Sequence, residues 1–313
     1  MQIKYFVFLL TLILIACMQP LDSHVPQEIT AVKGRIVMVS TGRSESGGYY
    51  IINGKMVDAI GGRQIFFKDY KHTLTQGFDR FVIYSDDGKS RKEISVAPLS
   101  INLTEFDISP DGKTIAFIAD DNSKGYRIGN LYVVDIDGQN LRNLTKYDRQ
   151  YYYLAGVKFS PDGKTILFSR TLDRDPKYLH MFLYNLATGK SEDLTEGVRD
   201  GAFEADWSPD GKKIAFIDQD DAGFRNLYLL DLATKQVMQL THFSQKYYGH
   251  VYHPSYSPWG DQICFALAAR DKNAGSEIFA VNIDGSSLVR LTPAQKTEHY
   301  PYWAKDDYPD WGK

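Results

Sequence analysis

The chain repeats one short phrase four times, and that repeat constrains its fold more than any other feature. The phrase reads Ile-Ser-Pro-Asp-Gly-Lys at 108–113, Phe-Ser-Pro-Asp-Gly-Lys at 159–164, Trp-Ser-Pro-Asp-Gly-Lys at 207–212 and Tyr-Ser-Pro-Trp-Gly-Asp at 256–261. Its serines, Ser109, Ser160, Ser208 and Ser257, are 51, 48 and 49 residues apart. An apolar or aromatic residue ends one strand. Pro then presets φ, Asp bonds nearby backbone and Gly accepts positive φ, so the chain turns. The residues that follow alternate apolar and other, with Ile115 and Phe117, Ile166 and Phe168, Ile214 and Phe216, and Ile263 and Phe265 at period 2. Each pair therefore falls on one face of a strand.

A second phrase recurs in the same order. Leu131–Gly138, Leu183–Gly189, Leu227–Thr234 and Ile278–Gly285 each read as a third strand running into a tight hairpin. Leu144-Thr145, Leu194-Thr195, Leu240-Thr241 and Leu291-Thr292 mark a short fourth strand. Four strands per unit at a period near 50 describe a β-propeller blade.

Upstream of these four units, Ile65–Tyr70, Phe81–Ser85 and Ile94-Ser95 read as a degenerate blade, and Gly34–Ser40, Tyr49–Asn53 and Lys55–Ile60 as three strands without a first. The missing strand is expected at the other end, where Trp303 of His299-Tyr300-Pro301-Tyr302-Trp303 stands 47 residues after Tyr256. The fold class expected is all-β: a six-bladed propeller of four-stranded antiparallel blades, closed by pairing of the C-terminal strand with the N-terminal blade. Closure removes exposed sheet edges. Asp306–Trp311 reads as a solvated end.

The first residues point to the envelope. Lys4 precedes an apolar run from Tyr5 to Ile15, too short to span a membrane and of the length of a signal-peptide core. Leu14-Ile15-Ala16-Cys17 resembles the lipobox of bacterial lipoproteins, which implies lipidation of Cys17. Met18 after the cysteine favours the outer membrane, facing the periplasm or the surface. The expected organisation is 1–17 signal peptide and lipobox, 18–32 tether, and 33–313 propeller. The formal net charge of −3 speaks against nucleic acid as a partner. With Cys17 assigned to lipid, Cys264 is left as a buried thiol without a disulfide partner.

The Ser-Pro-Asp-Gly-Lys repeats, with Leu-Thr closing each blade, resemble the propeller of the TolB-like family across residues 33–313. The resemblance implies a fold used mainly for protein–protein contact. TolB itself carries a further N-terminal α/β domain, and no segment here reads as one, so its Tol–Pal role is not carried over. TolB-like propellers also precede prolyl-oligopeptidase-type hydrolase domains, but this chain has no Gly-x-Ser-x-Gly elbow.

Both short turns of each repeat fall on one face of the disc and the longer loops on the other, where recognition is expected. The binding residues expected there are Tyr152, Arg174, Glu204, Tyr248, His250, His253, His299 and Tyr300. His253 stands three residues before Tyr256, Glu204 three before Trp207, and His299 four before Trp303. Those three are therefore the candidate ligands of a metal near the axis, in the general location where the oligogalacturonate lyases hold one. Two function classes follow. The first is a lipid-anchored, non-catalytic scaffold without cofactor that binds an envelope protein or peptide, or a glycan. The alternative is a metal-assisted glycan-acting lyase or hydrolase using the histidine cluster.

Overall fold

A computed structural model describes Lys33 and residues 35–312 except segments 42–46, 53–54, 59–63, 70, 77–78, 86–88, 98, 121–128, 148–153, 172–178, 196–201, 220–222, 244–247, 270–275 and 293–304. Cys17, Tyr152, Arg174, His299 and Tyr300 lie outside the described residues.

The strands form six consecutive four-stranded units. The first unit contributes β1 (Arg35–Thr41), β2 (Gly47–Ile52) and β3 (Lys55–Asp58). The second holds β4 (Gln64–Phe66), β5 (His72–Gln76), β6 (Arg80–Ser85) and β7 (Arg91–Ser95). The third holds β8 (Ser100–Ile108), β9 (Thr114–Asp120), β10 (Gly129–Asp135) and β11 (Arg142–Asn143). The fourth holds β12 (Leu154–Phe159), β13 (Thr165–Thr171), β14 (Leu179–Asn185) and β15 (Lys190–Asp193). The fifth holds β16 (Phe203–Trp207), β17 (Lys213–Gln219), β18 (Arg225–Asp231) and β19 (Val237–Gln239). The sixth holds β20 (Tyr248–Tyr256), β21 (Gln262–Ala269), β22 (Ser276–Asn282) and β23 (Val289–Arg290).

β24 (Lys305–Gly312) supplies the first strand of the first unit, in the order β24-β1-β2-β3. It pairs antiparallel with β1 from Arg35↔Gly312 to Thr41↔Lys305. On one side β24 contacts β20, β21 and β22, and on the other β4, so the shared blade stands between the last unit and the second. The pairing of the chain ends agrees with the sequence. The residues do not: the strand is Lys305–Gly312, including the run Asp306–Trp311 read as a solvated end, and 299–303 lie outside the described residues.

The repeated words have separate mechanical roles. In the turn, Ser109 Oγ donates to Asp111 Oδ1 (2.6 Å), the Thr114 N–H returns to Ser109 Oγ (2.9 Å) and the Gly112 N–H to Ser109 O (2.8 Å). Ser160 and Ser208 donate to Asp162 and Asp210 at 2.7 Å. Hydroxyl donation is the largest cause holding all three carboxyls below the usual carboxylate range. The turn glycines have φ near +70°. A Cβ on Gly163 would meet Pro110 at 3.5 Å, one on Gly211 would meet Pro161 at 3.8 Å, and one on Gly260 would meet Pro209 at 3.4 Å. Each glycine thus serves its own turn and seats the proline of the preceding blade.

Leu-Thr is a latch. Thr145, Thr195, Thr241 and Thr292 Oγ1 accept the N–H of Leu131, Met181, Leu227 and Ile278 at 2.9–3.1 Å. These threonines supply a partner to backbone that the short fourth strand leaves unpaired.

Alternation divides each second strand between two interfaces. Ile115 and Phe117 join the cluster shared with the second unit, while Ala116 and Ile118 join the one shared with the fourth. Phe117 stacks on Tyr132, Phe168 on Phe182, Phe216 on Tyr228 and Phe265 on Phe279, with centroids 5.7–6.2 Å apart. Cys264 is a buried thiol in β21, as the sequence indicated.

Candidate functional site

The innermost strands carry the site. β12, β16 and β20 each break register at one equivalent place: between Ala155 and Lys158, Phe203 and Ala205, and Tyr252 and Ser255. The residues at these bulges, three before Phe159, Trp207 and Tyr256, are Gly156, Glu204 and His253, and all have left-handed φ, +67°, +45° and +49°. Glycine adopts this conformation freely, whereas other residues lose roughly 1–2 kcal/mol. Strained backbone of this kind concentrates at functional positions. Two charged or titratable side chains therefore occupy places where the fold itself asks for glycine.

Glu204 and His253 meet across the boundary between the fifth and sixth units. Glu204 Oε2 accepts the His253 N–H at 2.8 Å and lies 3.4 Å from His253 Nδ1. Both side chains are mostly buried, 18% and 17% exposed. Further carboxylates bridge neighbouring blades in the same strands: Asp107 accepts Phe159 N–H (2.7 Å), Asp206 accepts Tyr256 N–H (2.8 Å), and Lys158 Nζ lies 3.6 Å from Asp206.

Toward the loop end the pair is continued by His250, Tyr252 and Arg225. The Tyr252 ring lies 6.1 Å from that of His253 and 6.2 Å from that of His250, and the Arg225 guanidinium lies 5.0 Å from the Tyr252 ring centroid. A single parallel bridge, Arg225↔His250, joins β18 to β20. Burial first, then the charge of Arg225, holds His250 below the usual imidazole range. The Arg225 N–H points to His250 Nδ1 at 3.4 Å, a role for a neutral ring.

Of the residues expected from sequence, Glu204, His250 and His253 come together here, and Tyr248 begins the same strand. Among the described residues no group of three or more His, Cys, Asp or Glu is placed to hold a metal. Sequence reading missed Arg225 as part of this cluster. It also missed a cavity of about 450 Å³ at the opposite, turn-side end of the same strands.

A family model described as the dipeptidyl peptidase IV N-terminal region matches residues 129–306, more than half of the chain. The chain belongs to that family. The family match begins at β10 in the third unit and takes in the fourth to sixth units, including the Glu204–His253 site. Dipeptidyl-peptidase 5 of Porphyromonas gingivalis is 27% identical over 152 residues, which are 46% of this chain and 22% of that protein. The chain thus spans only a fraction of this relative's length. Among solved structures, TolB from Acinetobacter baumannii superposes with a TM-score of 0.69 at 19% identity, covering 89% of this chain and 66% of that one. An oligogalacturonate lyase in complex with manganese superposes with a TM-score of 0.58 at 12% identity, covering 85% and 76%. These likenesses establish a TolB-like propeller fold.

The left-handed bulge yields a direct expectation. His253→Gly should leave the unfolding midpoint unchanged or raise it, because the strain disappears while the backbone N–H still reaches Glu204. A loss above about 1 kcal/mol in urea would show that the His253 side chain stabilises the bulge.

Proposed function

We propose that this family member is a cell-envelope propeller acting as a non-catalytic scaffold, which captures a protein or peptide over its long-loop face. The observation that carries this reading is the Glu204–His253 pair, held in left-handed backbone on adjacent inner strands beside Tyr252, His250 and Arg225. A partly exposed tyrosine and an arginine in one setting are residue types enriched at protein contacts. The likeness to TolB supports the same reading. The proposal extends to residues 1–32: lipid on Cys17, a tether at 18–32, the propeller at 33–313, and an outer-membrane location facing the periplasm or the surface.

The test is affinity capture from native envelopes with the lipidated full chain, followed by binding of the purified captured protein. His253→Ala with Tyr248→Ala should weaken that binding at least fivefold, since truncating central contacts costs more than about 1 kcal/mol, and should leave the unfolding midpoint near wild type. Unchanged binding would sink the long-loop reading. Labelled palmitate should enter the wild type but not Cys17→Ser; equal labelling would refute the anchor.

The metal-assisted, glycan-acting alternative rests on the same His–Glu contact and on the lyase crystallised with manganese. Equimolar metal in the purified chain, lost in His253→Ala together with cleavage of an acidic glycan, would replace the scaffold reading with this one.

A further inference from the structure

In the four units that carry the repeat turn, the strand before the turn meets the strand after it at Ile108↔Ile115, Phe159↔Ile166, Trp207↔Ile214 and Tyr256↔Ile263. In the first unit the two strands that flank this turn elsewhere, β24 and β1, are not consecutive in the chain. Their matching pair is Gly312↔Arg35. β1 is the second strand of its sheet, as β9, β13, β17 and β21 are of theirs. All five second strands therefore run from the turn face toward the long loops, and the chain enters β1 from the turn face.

A side-chain contact places this entry independently. The Lys33 ammonium lies 4.1 Å from the centroid of the Trp259 ring. Trp259 belongs to the fourth repeat turn, which the Gly260 N–H closes onto Ser257 O at 2.9 Å. That turn departs from the other three. Ser109, Ser160 and Ser208 donate to Asp111, Asp162 and Asp210, whereas Ser257 donates to Asp261 at 2.6 Å and leaves Trp259 in the aspartate's place. Tryptophan offers an ammonium the best aromatic face. The altered turn is thus the one that receives the residue leading into β1.

We propose that the anchored propeller stands with its turn face toward the lipid surface and its long-loop face, with the Glu204–His253 cluster, toward the aqueous side. This rests on the anchor proposed at Cys17, which precedes Lys33 by 16 residues. A coil of that length has a root-mean-square reach of roughly 20–24 Å and a full extension of at most about 58 Å. To lay the other face on the membrane it would have to pass β2 and β3, each about 5 Å further out, and then the roughly 23 Å length of a seven-residue strand such as β1. That path exceeds the mean reach and takes up more than half of the full one. Lys164 and Lys212 pair with Asp162 and Asp210 of their own turns at 3.7 and 3.6 Å, so the point of attachment rather than lipid charge sets the orientation. The long-loop face then fits a partner that arrives from the aqueous side, a soluble protein or peptide, and not one embedded in the same leaflet.

The test places a fluorescent donor on a single engineered cysteine and acceptors on the lipid headgroups. Lys164→Cys and Lys212→Cys stand on the turn face and Gln219→Cys at the long-loop end of β17, all at exposed positions, and Cys264 is buried and does not compete for label. Two forms are bound to phosphatidylcholine vesicles: the native lipidated full chain, and a chain whose residues 1–17 are replaced by hexahistidine, on vesicles that also carry a nickel-chelating lipid. In both, the turn-face donors should transfer energy at least about twofold more strongly than the Gln219 donor, because a seven-residue strand sets them roughly 23 Å apart. Equal transfer, or stronger transfer from Gln219, on the nickel vesicles overturns the proposed orientation, since that attachment does not depend on lipidation. If the nickel vesicles give the expected order but the native chain does not float with vesicles, the anchor at Cys17 is refuted and entry from the turn face is upheld.

Discussion

A chain shortened by residues 305–313 is expected to lose several kcal/mol of stability, a large part of the roughly 5–15 kcal/mol that holds a domain folded. β24 is the only partner of β1 on that side within the described residues, and it fills the space between β20–β22 and β4. Its loss strips backbone pairing from Arg35 to Thr41 and leaves β1 as an open edge, which promotes association as well as unfolding. The measurement is urea unfolding of the truncated and full chains, with light scattering for association. The same midpoint in both would show that the terminal strand does not hold the first blade.

Phe216→Ala should cost about 3–5 kcal/mol, the usual range for emptying a buried phenylalanine site. Phe216 is fully buried, stacks on Tyr228 and belongs to the cluster that joins the fourth and fifth units through Leu167, Met181 and Trp207. The cavity would lie between two sheets already pinned by their own ladders, so the site cannot collapse to fill it. Lys212→Ala, on an exposed turn of the same blade, should stay within about 0.5 kcal/mol of wild type. A shift for Phe216→Ala below about 1 kcal/mol would mean that the blade interfaces are not stabilised by this stack.

The repeated words made most of the fold legible. Turn chemistry and period-2 alternation are local, and four near-copies remove the ambiguity that one would carry. The Glu204–His253 contact was legible for a related reason: 49 residues is one repeat, so the two residues occupy the same place on adjacent inner strands. The second unit was harder, because it lacks the Ser-Pro-Asp-Gly phrase. Its outer strands stood out at Phe81 and Ile94, but β5 (His72–Gln76) went unseen beside Ile65–Phe66. β24 was placed a few residues too early. Lys305-Asp-Asp-Tyr-Pro-Asp-Trp-Gly has neither the alternation nor the composition of a strand, and it forms one because β1 presents an unpaired ladder to it.

The amino-acid sequence by itself determined the blade, its period, the direction each second-strand side chain takes and the buried state of Cys264, since all of these follow from turn preferences and alternation within about 50 residues. Tertiary structure alone decided which chain-end segment completes the first blade, and how Arg225 and Tyr252 join the Glu204–His253 pair. Those facts depend on how one blade lies against the next around the axis. No local pattern specifies that arrangement, because each blade presents the same words and only their packing makes two of them differ.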